Sequence, residues 1–160
     1  MLDYTLVSSR ATYRMLQQPD VPAFLALVGA RHRDDPPGWN LPQEQILATF
    51  RELQRNKDRG TLFVFEQGLV LVGYAVLINY WSNRLGGLAL VVDEMYVDPQ
   101  RGDPELPGDF LKLLAHVAPP EVRALRVAAD ARDRSARGVL RELGFKDSGR
   151  IFFELSVKNT

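Results

Sequence analysis

The spacing of apolar residues along the chain predicts a mixture of helices and strands. Apolar residues at intervals of one, three and four favour a helix capped by Asp20 and a second helix that begins near Asn40. Two later segments, 110–117 and 134–143, are also expected to be helical. Runs rich in β-branched and aromatic residues predict strands over 11–16, 61–66, 69–79, 88–97, 124–129 and 151–157. The expected class is therefore α/β.

Turn residues set the order of these elements. Gln67-Gly68 separates two strands by a short turn that is typical of a β-hairpin, and Gly144 directly follows the last helix, where glycine is favoured. The order β-α-α-β-β-β-α-β-α-β predicts a mixed sheet with an antiparallel first half. Strands joined through a helix tend to be parallel, so 88–97 and 124–129 are expected to be neighbours.

Composition argues against several classes of function. The 20 basic and 20 acidic residues cancel, which argues against a general nucleic-acid binder. The chain has no cysteine and two histidines, so neither a disulfide nor a metal site is expected. No apolar run reaches about 18 residues, and the N-terminal segment lacks the features of a signal peptide. We expect a single domain over residues 1–160, soluble and cytoplasmic, with no membrane partner.

Three segments together resemble the GNAT N-acetyltransferase superfamily. The first, 91–99, carries an acidic residue before an aromatic-Val-x-Pro ending. The second is Arg101-Gly102 before an apolar helix, and the third, 136–145, is a helix that ends in Leu-Gly-Phe. The resemblance covers nearly the whole chain. It implies the GNAT acyltransferase fold, in which two parallel strands of a mixed central sheet splay apart.

The resemblance also implies acetyl-CoA as the cosubstrate. In the family, the backbone of the central strand pairs with the pantetheine arm, which here places Met95, Tyr96 and Val97 along that arm. The pyrophosphate is held by backbone N–H groups at the start of the following helix. The remaining cofactor contacts are then expected from Arg101, Gly102, Leu106, Gly108 and Asp133.

The phosphate loop departs from the family pattern. The family usually has Arg or Gln, two residues, Gly, one residue, and Gly or Ala; these glycine positions fall on Glu105 and Pro107. Proline has no N–H to donate, and Asp103, Glu105 and Asp109 bring carboxylates to the place of a pyrophosphate. Three alternatives stay open: weak binding of CoA, binding along a different loop path, and no binding.

Glu94 is the candidate catalytic base, which would take a proton from the acceptor's ammonium group directly or through water. Asp93, a candidate substrate contact, is adjacent in the same strand, so the two side chains point to opposite faces. The alternative is a pair of carboxylates at a partly wet strand surface. Leu140 stands where many members of the family have a Tyr that protonates the leaving thiolate.

Aromatic residues are candidates for the acceptor site. Tyr80 and Trp81 precede the central strand, and aromatic walls suit an amine. Trp39 lies between the first two helices, in a segment that usually borders the acceptor site in this family. Ordinary packing and an exposed loop are the alternatives. His32 and His116 are expected to be solvated helix residues.

The leading hypothesis is an N-acetyltransferase that moves acetyl from acetyl-CoA to a primary amine of a small molecule or peptide by direct attack. The alternative is a GNAT-fold binding or interaction module that has lost catalysis, which the acidic loop and Leu140 favour. A homodimer formed through the strand over 151–157 is also considered.

Overall fold

Six strands of the described chain form one mixed sheet. The computed structural model describes residues 5–33, 41–129 and 133–150, together with Phe153 and Leu155. The strands are β1 (Leu6–Val7), β2 (Thr12–Met15), β3 (Gly60–Gln67), β4 (Val70–Ser82), β5 (Gly87–Val97) and β6 (Val122–Val127), and they lie in chain order across the sheet. All neighbours are antiparallel except β5 and β6, which are parallel. The predicted antiparallel first half and the parallel pair are confirmed.

The described residues also form four α-helices and a short 3-10 helix at Gln18–Asp20. The α-helices are α1 (Val21–Arg31), α2 (Gln43–Arg55), α3 (Leu106–Val117) and α4 (Arg134–Glu142). α3 begins at Leu106 rather than at the predicted Phe110, because Pro107 suits the first turn of a helix, where an N–H has no partner within the helix. β1 has no counterpart in the prediction, since two residues are too few to show a period. The strand predicted over 151–157 lies outside the described residues except for Phe153 and Leu155.

One face of the sheet packs against α1 and α2. Tyr74 of β4 shares this core with Phe24 of α1 and Phe50 of α2. The rings of Phe24 and Tyr74 meet edge to face with their centroids 5.2 Å apart, an arrangement that aromatic pairs prefer. This packing holds the end of α1 over β4 and β5.

The opposite face packs against α3. Side chains alternate along a strand, so Phe63 and Phe65 of β3 point away from α1 and α2. Both rings contact Phe110 of α3, with centroid distances of 5.4 and 4.9 Å, and Tyr13 of β2 lies 5.3 Å from the same ring. Phe110 therefore fixes the position of α3, and with it the loop that leads from β5 into this helix.

The chain divides into two compact units, Met1–Ala128 and Ala129–Thr160. In the second unit, Asp133 caps α4 because its Oδ1 accepts a hydrogen bond from the Ala136 N–H at 2.9 Å. Gly144 follows this helix with φ at 90°, as its predicted place after the helix requires. One domain over residues 1–160 stays a prediction. None of the described helices is long and apolar enough to cross a membrane.

Asp20 precedes α1, but its side chain does not cap the helix as predicted. Its carboxylate instead accepts two hydrogen bonds from Arg14, from Nη1 at 2.6 Å and from Nη2 at 3.0 Å, and a third from the Gln17 N–H at 2.9 Å. Arg14 Nε donates to Glu66 at 2.7 Å. A bidentate, charge-assisted pair is stronger than a neutral cap, so the side chain turns toward Arg14. The network ties β2 to β3 and to the start of α1.

We expect Asp20→Asn to destabilise the fold by about 1–3 kcal/mol at neutral pH and to have little effect in acid. The hydrogen bonds from Arg14, followed by the Gln17 N–H, lower the pKa of Asp20 below its ordinary value. A carboxyl group with a lowered folded-state pKa stabilises the fold above its unfolded-state pKa of about 3.9, and this stabilisation is lost as the pH falls through the folded-state pKa. Urea unfolding at neutral pH and at a pH below the folded-state pKa of Asp20 measures the two differences.

Asp58→Asn is the matched control, because this carboxylate lies in an exposed turn and the same charge is removed. We expect it to change the free energy of unfolding by less than about 0.5 kcal/mol at either pH. An Asp20→Asn penalty that is equal at both pH values would show that the ion pair with Arg14 does not stabilise the fold.

Candidate functional site

The parallel strands β5 and β6 pair along the whole length of β6 but only along the first half of β5. The register runs from Leu88 opposite Val122 to Val92 opposite Val127, and the Ala128 N–H then donates to the Val92 carbonyl at 3.3 Å. Beyond Val92, no strand in the described part of the chain pairs with this side of β5. Residues 93–97 therefore form an open strand edge.

A β-bulge at Asp93 marks the point where the strands separate. Val76 of β4 lies opposite Glu94, whereas the next residue, Leu77, lies opposite Val92, so Asp93 has no partner in β4. A bulge bends its strand and increases the local twist. Asp93 is exposed and residues 94–97 are half-buried, whereas most of the β5 residues before the bulge are buried. The bulge thus turns β5 out of the core at the point where its pairing with β6 ends.

The open edge presents main-chain groups of two residues. The Asp98 N–H donates to the Val72 carbonyl of β4 at 2.8 Å. Since successive residues of an antiparallel ladder alternate in direction, Tyr96 also turns its main-chain groups toward β4, whereas Met95 and Val97 turn theirs away. The N–H and C=O groups of Met95 and Val97 repeat along the edge at about 7 Å. An extended chain with amide groups can pair with this edge as an added strand would.

Glu94 stands at the same point, on the face that α1 and α2 cover. Its Oε1 accepts a hydrogen bond from the Tyr74 hydroxyl. Its Oε2 lies 3.1 Å from Nε2 of His32, which directly follows α1. The Glu94 side chain is still 24% exposed and the His32 side chain 17%. The carboxylate is therefore held from two sides and remains open to a small polar group. The expectation that His32 is a solvated helix residue is wrong.

Tyr74 is suited to hold the carboxylate because it keeps its proton. Burial, followed by the negative charge of Glu94 and the hydrogen bond to it, raises the pKa of Tyr74 well above its ordinary value. Its hydroxyl therefore remains a donor at every physiological pH. The edge-to-face contact with Phe24 and the neighbouring ring of Tyr96, whose centroid lies 6.1 Å away, fix the ring that carries it.

The first N–H groups of the loop after β5 donate hydrogen bonds to Asp98. The Gln100 N–H donates to Asp98 Oδ1 at 2.9 Å, and the N–H groups of Arg101 and Gly102 donate to the Asp98 carbonyl at 3.2 and 2.8 Å. Arg101 Nε also forms an ion pair with Asp98 Oδ2 at 2.7 Å. A Cβ atom at Gly102 would lie 2.4 Å from Val97 Cγ1, so this close turn requires glycine.

The second part of the loop is closed by Asp103. The Asp103 N–H donates to Gln67 Oε1 at 3.1 Å, and the Glu105 N–H donates to Asp103 Oδ1 at 2.8 Å. Arg10 Nη1 pairs with Asp103 Oδ2 at 2.6 Å. The Glu105 N–H, followed by Arg10, lowers the pKa of Asp103, so this carboxylate stays charged at neutral pH. Its Oδ1 accepts the Glu105 N–H, which would otherwise be available to donate to a bound anion.

Little donor capacity remains for a pyrophosphate at the start of α3. The buried Leu106 donates its N–H to the Asp103 carbonyl at 3.1 Å, and Pro107 has none. The Asp109 N–H donates to the Glu105 carbonyl at 3.0 Å. Between residues 100 and 109 of the described chain, Gly108 alone keeps an N–H without a hydrogen-bond acceptor. The helix N-terminus still favours an anion, but three carboxylates surround it.

The predicted site residues fall into distinct places. Glu94, Met95, Tyr96 and Val97 come together at the bulge and the open edge, with Asp93 exposed beside them. Tyr80 lies on the same sheet face as Glu94, whereas its neighbour Trp81 points to the other face. Trp39 lies outside the described residues. The backbone N–H groups of the predicted phosphate contacts Arg101, Gly102 and Leu106 all donate within the loop, and Nε of Arg101 pairs with Asp98. Asp133 caps α4.

Known structures share this architecture at low sequence identity. A possible acetyltransferase from Clostridium difficile 630 aligns with a TM-score of 0.79 at 13% identity, over 94% of this chain and 100% of the other. An integron cassette protein from the mobile metagenome of Cole Harbour Salt Marsh aligns with a TM-score of 0.71 at 26% identity, over 92% and 91%. AAC(6')-Iy, solved with the bisubstrate analogue CoA-S-monomethyl-acetylneamine, aligns with a TM-score of 0.72 at 16% identity, over 94% and 100%. No protein-family model and no curated protein matches the chain.

Proposed function

We propose that this chain, which has the fold of the GNAT acetyltransferases, transfers an acetyl group from acetyl-CoA to a primary amine of a small molecule or peptide. The observation that carries the proposal is the open edge of β5 beside a half-buried carboxylate. The edge begins at the bulge, one residue from Glu94. The open edge, which can bind an acyl carrier, thus lies next to Glu94, which can accept a proton.

The pantetheine part of acetyl-CoA fits the described residues better than the pyrophosphate does. The outward N–H and C=O groups of Met95 and Val97 can pair with the two amides of the arm. At the loop, Asp98 and Asp103 already accept the N–H groups that a pyrophosphate would need. We therefore expect the arm, rather than the phosphates, to supply most of the affinity for acetyl-CoA.

Glu94 is proposed to remove the proton that prevents the acceptor's nitrogen from reacting. An ammonium group has no free electron pair, so it must lose a proton before a C–N bond can form at the thioester carbonyl and the C–S bond can break. Glu94 takes that proton directly or through one water, while Tyr74 and His32 hold its two oxygens. The thiolate leaves without an obligatory acid, because the pKa of a thiol is about 8.5. The second proton that the nitrogen loses as the amide forms passes to the departing thiolate or to water.

The closed loop favours a second candidate function, a GNAT-fold binding module without catalysis. Between residues 100 and 109 of the described chain, all N–H groups except that of Gly108 have acceptors within the protein. Because these N–H groups already have acceptors, CoA phosphates could bind them only if the hydrogen bonds within the loop were broken. This candidate and the first differ in whether acetyl-CoA binds at all.

Titration calorimetry with three ligands tests the proposal. Acetyl-CoA, free CoA and acetyl-pantetheine, which lacks the nucleotide and the pyrophosphate, are compared at low salt. We expect acetyl-CoA to bind in the micromolar to submillimolar range and acetyl-pantetheine to bind within about tenfold of it, since the loop contributes little. Absence of binding at millimolar acetyl-CoA would favour the non-catalytic module. Binding should be followed by a panel of amines under steady-state conditions.

A proline at the open edge tests where the arm lies. Met95→Pro removes an N–H that points away from β4, so the ladder between β4 and β5 keeps its hydrogen bonds. We expect acetyl-CoA to bind at least about tenfold more weakly, because one of the edge donors is lost. Met95→Ala is the matched control, which changes the side chain and keeps the N–H. If both variants weaken acetyl-CoA binding equally, the pantetheine arm does not pair with the Met95 N–H.

A further inference from the structure

Arg126 of β6 is a half-buried cation with an incomplete set of partners. Its guanidinium carbon lies 5.5 Å from the ring centroid of Tyr80, and its Nη2 donates to Ser82 Oγ at 3.4 Å. In the residues that the structure describes, it forms no ion pair with a carboxylate. Arg14, the half-buried arginine of β2, has two. A guanidinium offers five N–H donors, so most of those on Arg126 remain available to a ligand.

Strand register places Arg126 on the same face of the sheet as Glu94. Arg126 lies opposite Val91 in β5, and Val91 lies opposite Ile78 in β4. Two residues along β4 in one direction is Val76, the partner of Glu94, and two residues in the other direction is Tyr80. Side chains two apart in a strand share a face. This row of side chains thus has the Glu94 carboxylate at one end. At the other end, the Arg126 guanidinium lies near the ring of Tyr80.

An open groove adjoins the middle of this row. It has a volume of about 640 Å³ and lies between α2 and the end of β4, with Ala48, Thr49 and Leu53 on one side and Ile78 and Asn79 on the other. Its one lining arginine, Arg59, is already paired with Glu52 at 3.0 Å. The groove meets the row at Ile78 alone. Ile78 and its β5 partner Val91 are both half-buried, so partly exposed apolar surface lies between the two charged ends of the row.

We propose that the acceptor is an amine that also carries a carboxylate, with Arg126 and Tyr80 as the carboxylate subsite. The proposal rests on the acetyl transfer proposed above, because it assigns the amine end to Glu94. Arg126 binds a planar carboxylate with two parallel hydrogen bonds, and the ring of Tyr80, 5.5 Å from the guanidinium carbon, helps to position the guanidinium. Val76 and Tyr80 are separated by about 13 Å along β4, which matches an extended peptide of about four residues.

The test compares acceptors as matched pairs that differ only in the carboxylate. Tetra-alanine and tetra-alanine amide are the first pair, followed by shorter alanine peptides and their amides. We expect kcat/KM for the acid of the matching length to exceed that for its amide by about 10- to 100-fold, mainly through KM. Arg126→Gln should reduce the ratio to near one, and Arg126→Lys should retain part of it, because the charge remains without the planar fork.

Controls separate this inference from the function on which it rests. Arg123→Gln removes an exposed arginine of the same strand and should keep the wild-type ratio. The affinity of Arg126→Gln for acetyl-CoA should equal that of the wild type, which shows that the variant is folded and that the acyl-donor site is intact. Equal rates for acids and amides, an unchanged ratio in Arg126→Gln, or turnover restricted to amines without a carboxylate would overturn the subsite. Absence of acetyl-CoA binding and of turnover with every amine would instead overturn the proposed function itself.

Discussion

Glu94→Gln is expected to lower kcat for the proposed acetyl transfer by about 100-fold or more at neutral pH, while the affinity for acetyl-CoA stays within about twofold. Glutamine keeps the size of the side chain and can still accept the hydrogen bond from Tyr74, but it cannot take a proton from the acceptor. The deficit should narrow as the pH approaches the pKa of the amine itself, because the unprotonated amine then forms without a base. Initial rates with one amine over a range of pH, together with calorimetry, measure both effects.

Glu121→Gln is the matched control for this experiment. The same chemical change is made at an exposed residue beside the opposite end of β5, where the Glu121 carbonyl, which the variant keeps, accepts the Leu88 N–H. We expect it to leave kcat unchanged. A full rate in Glu94→Gln would remove Glu94 from the mechanism, and a deficit that does not narrow with pH would assign it a structural role.

The double variant Asp103→Gly with Glu105→Gly is expected to tighten the proposed binding of CoA by about tenfold or more. It removes two carboxylates from the loop and also frees the residue-105 N–H, which in the wild type donates to Asp103 Oδ1. Glycine at both positions lets the backbone approach a phosphate without a Cβ clash. Calorimetry with CoA and with acetyl-pantetheine checks the result, since only the ligand that has a pyrophosphate should gain.

A second double variant, Asp103→Asn with Glu105→Gln, separates charge from geometry. Asparagine still accepts the Glu105 N–H, so this variant removes charge without freeing a donor, and it should gain only a few-fold in affinity. Asp58→Asn, at the other end of β3, should gain nothing. Unchanged affinity in the glycine variant would mean that CoA phosphates follow a path that avoids this loop.

Local patterns were sufficient to predict most of the fold, because they depend on residues close together in the chain. Periods of two and between three and four identify the strands and helices, and the helix between 88–97 and 124–129 predicts their parallel pairing. The start of α3 was placed too late because Leu106 and Pro107 resemble a loop by composition. Side-chain competition accounts for Asp20, whose carboxylate prefers a bidentate arginine to a helix cap.

The chemistry of the site was only partly predictable. The roles of Glu94 and the edge residues are predicted from the resemblance of one strand, whereas the side chains that contact Glu94 depend on register between distant segments. Tyr74 reads as one more apolar residue of a β-rich run, and His32 as a helix residue; neither carries a local signal that it meets Glu94. Arg126 likewise reads as one polar position in a short strand, until its neighbour across the sheet is known.

The open edge of β5 has a consequence for how such a protein can evolve. The groups proposed to bind the arm are the peptide units of Met95 and Val97, which every residue except proline supplies, so substitutions at these positions would leave the edge itself in place. The side-chain requirement is instead expected at positions that shape the backbone path, such as Gly102, where a Cβ atom would lie 2.4 Å from Val97 Cγ1. A binding edge defined by its backbone constrains the amino-acid sequence little, which agrees with the finding that structures at 13% to 26% identity superpose on a chain that no family model matches.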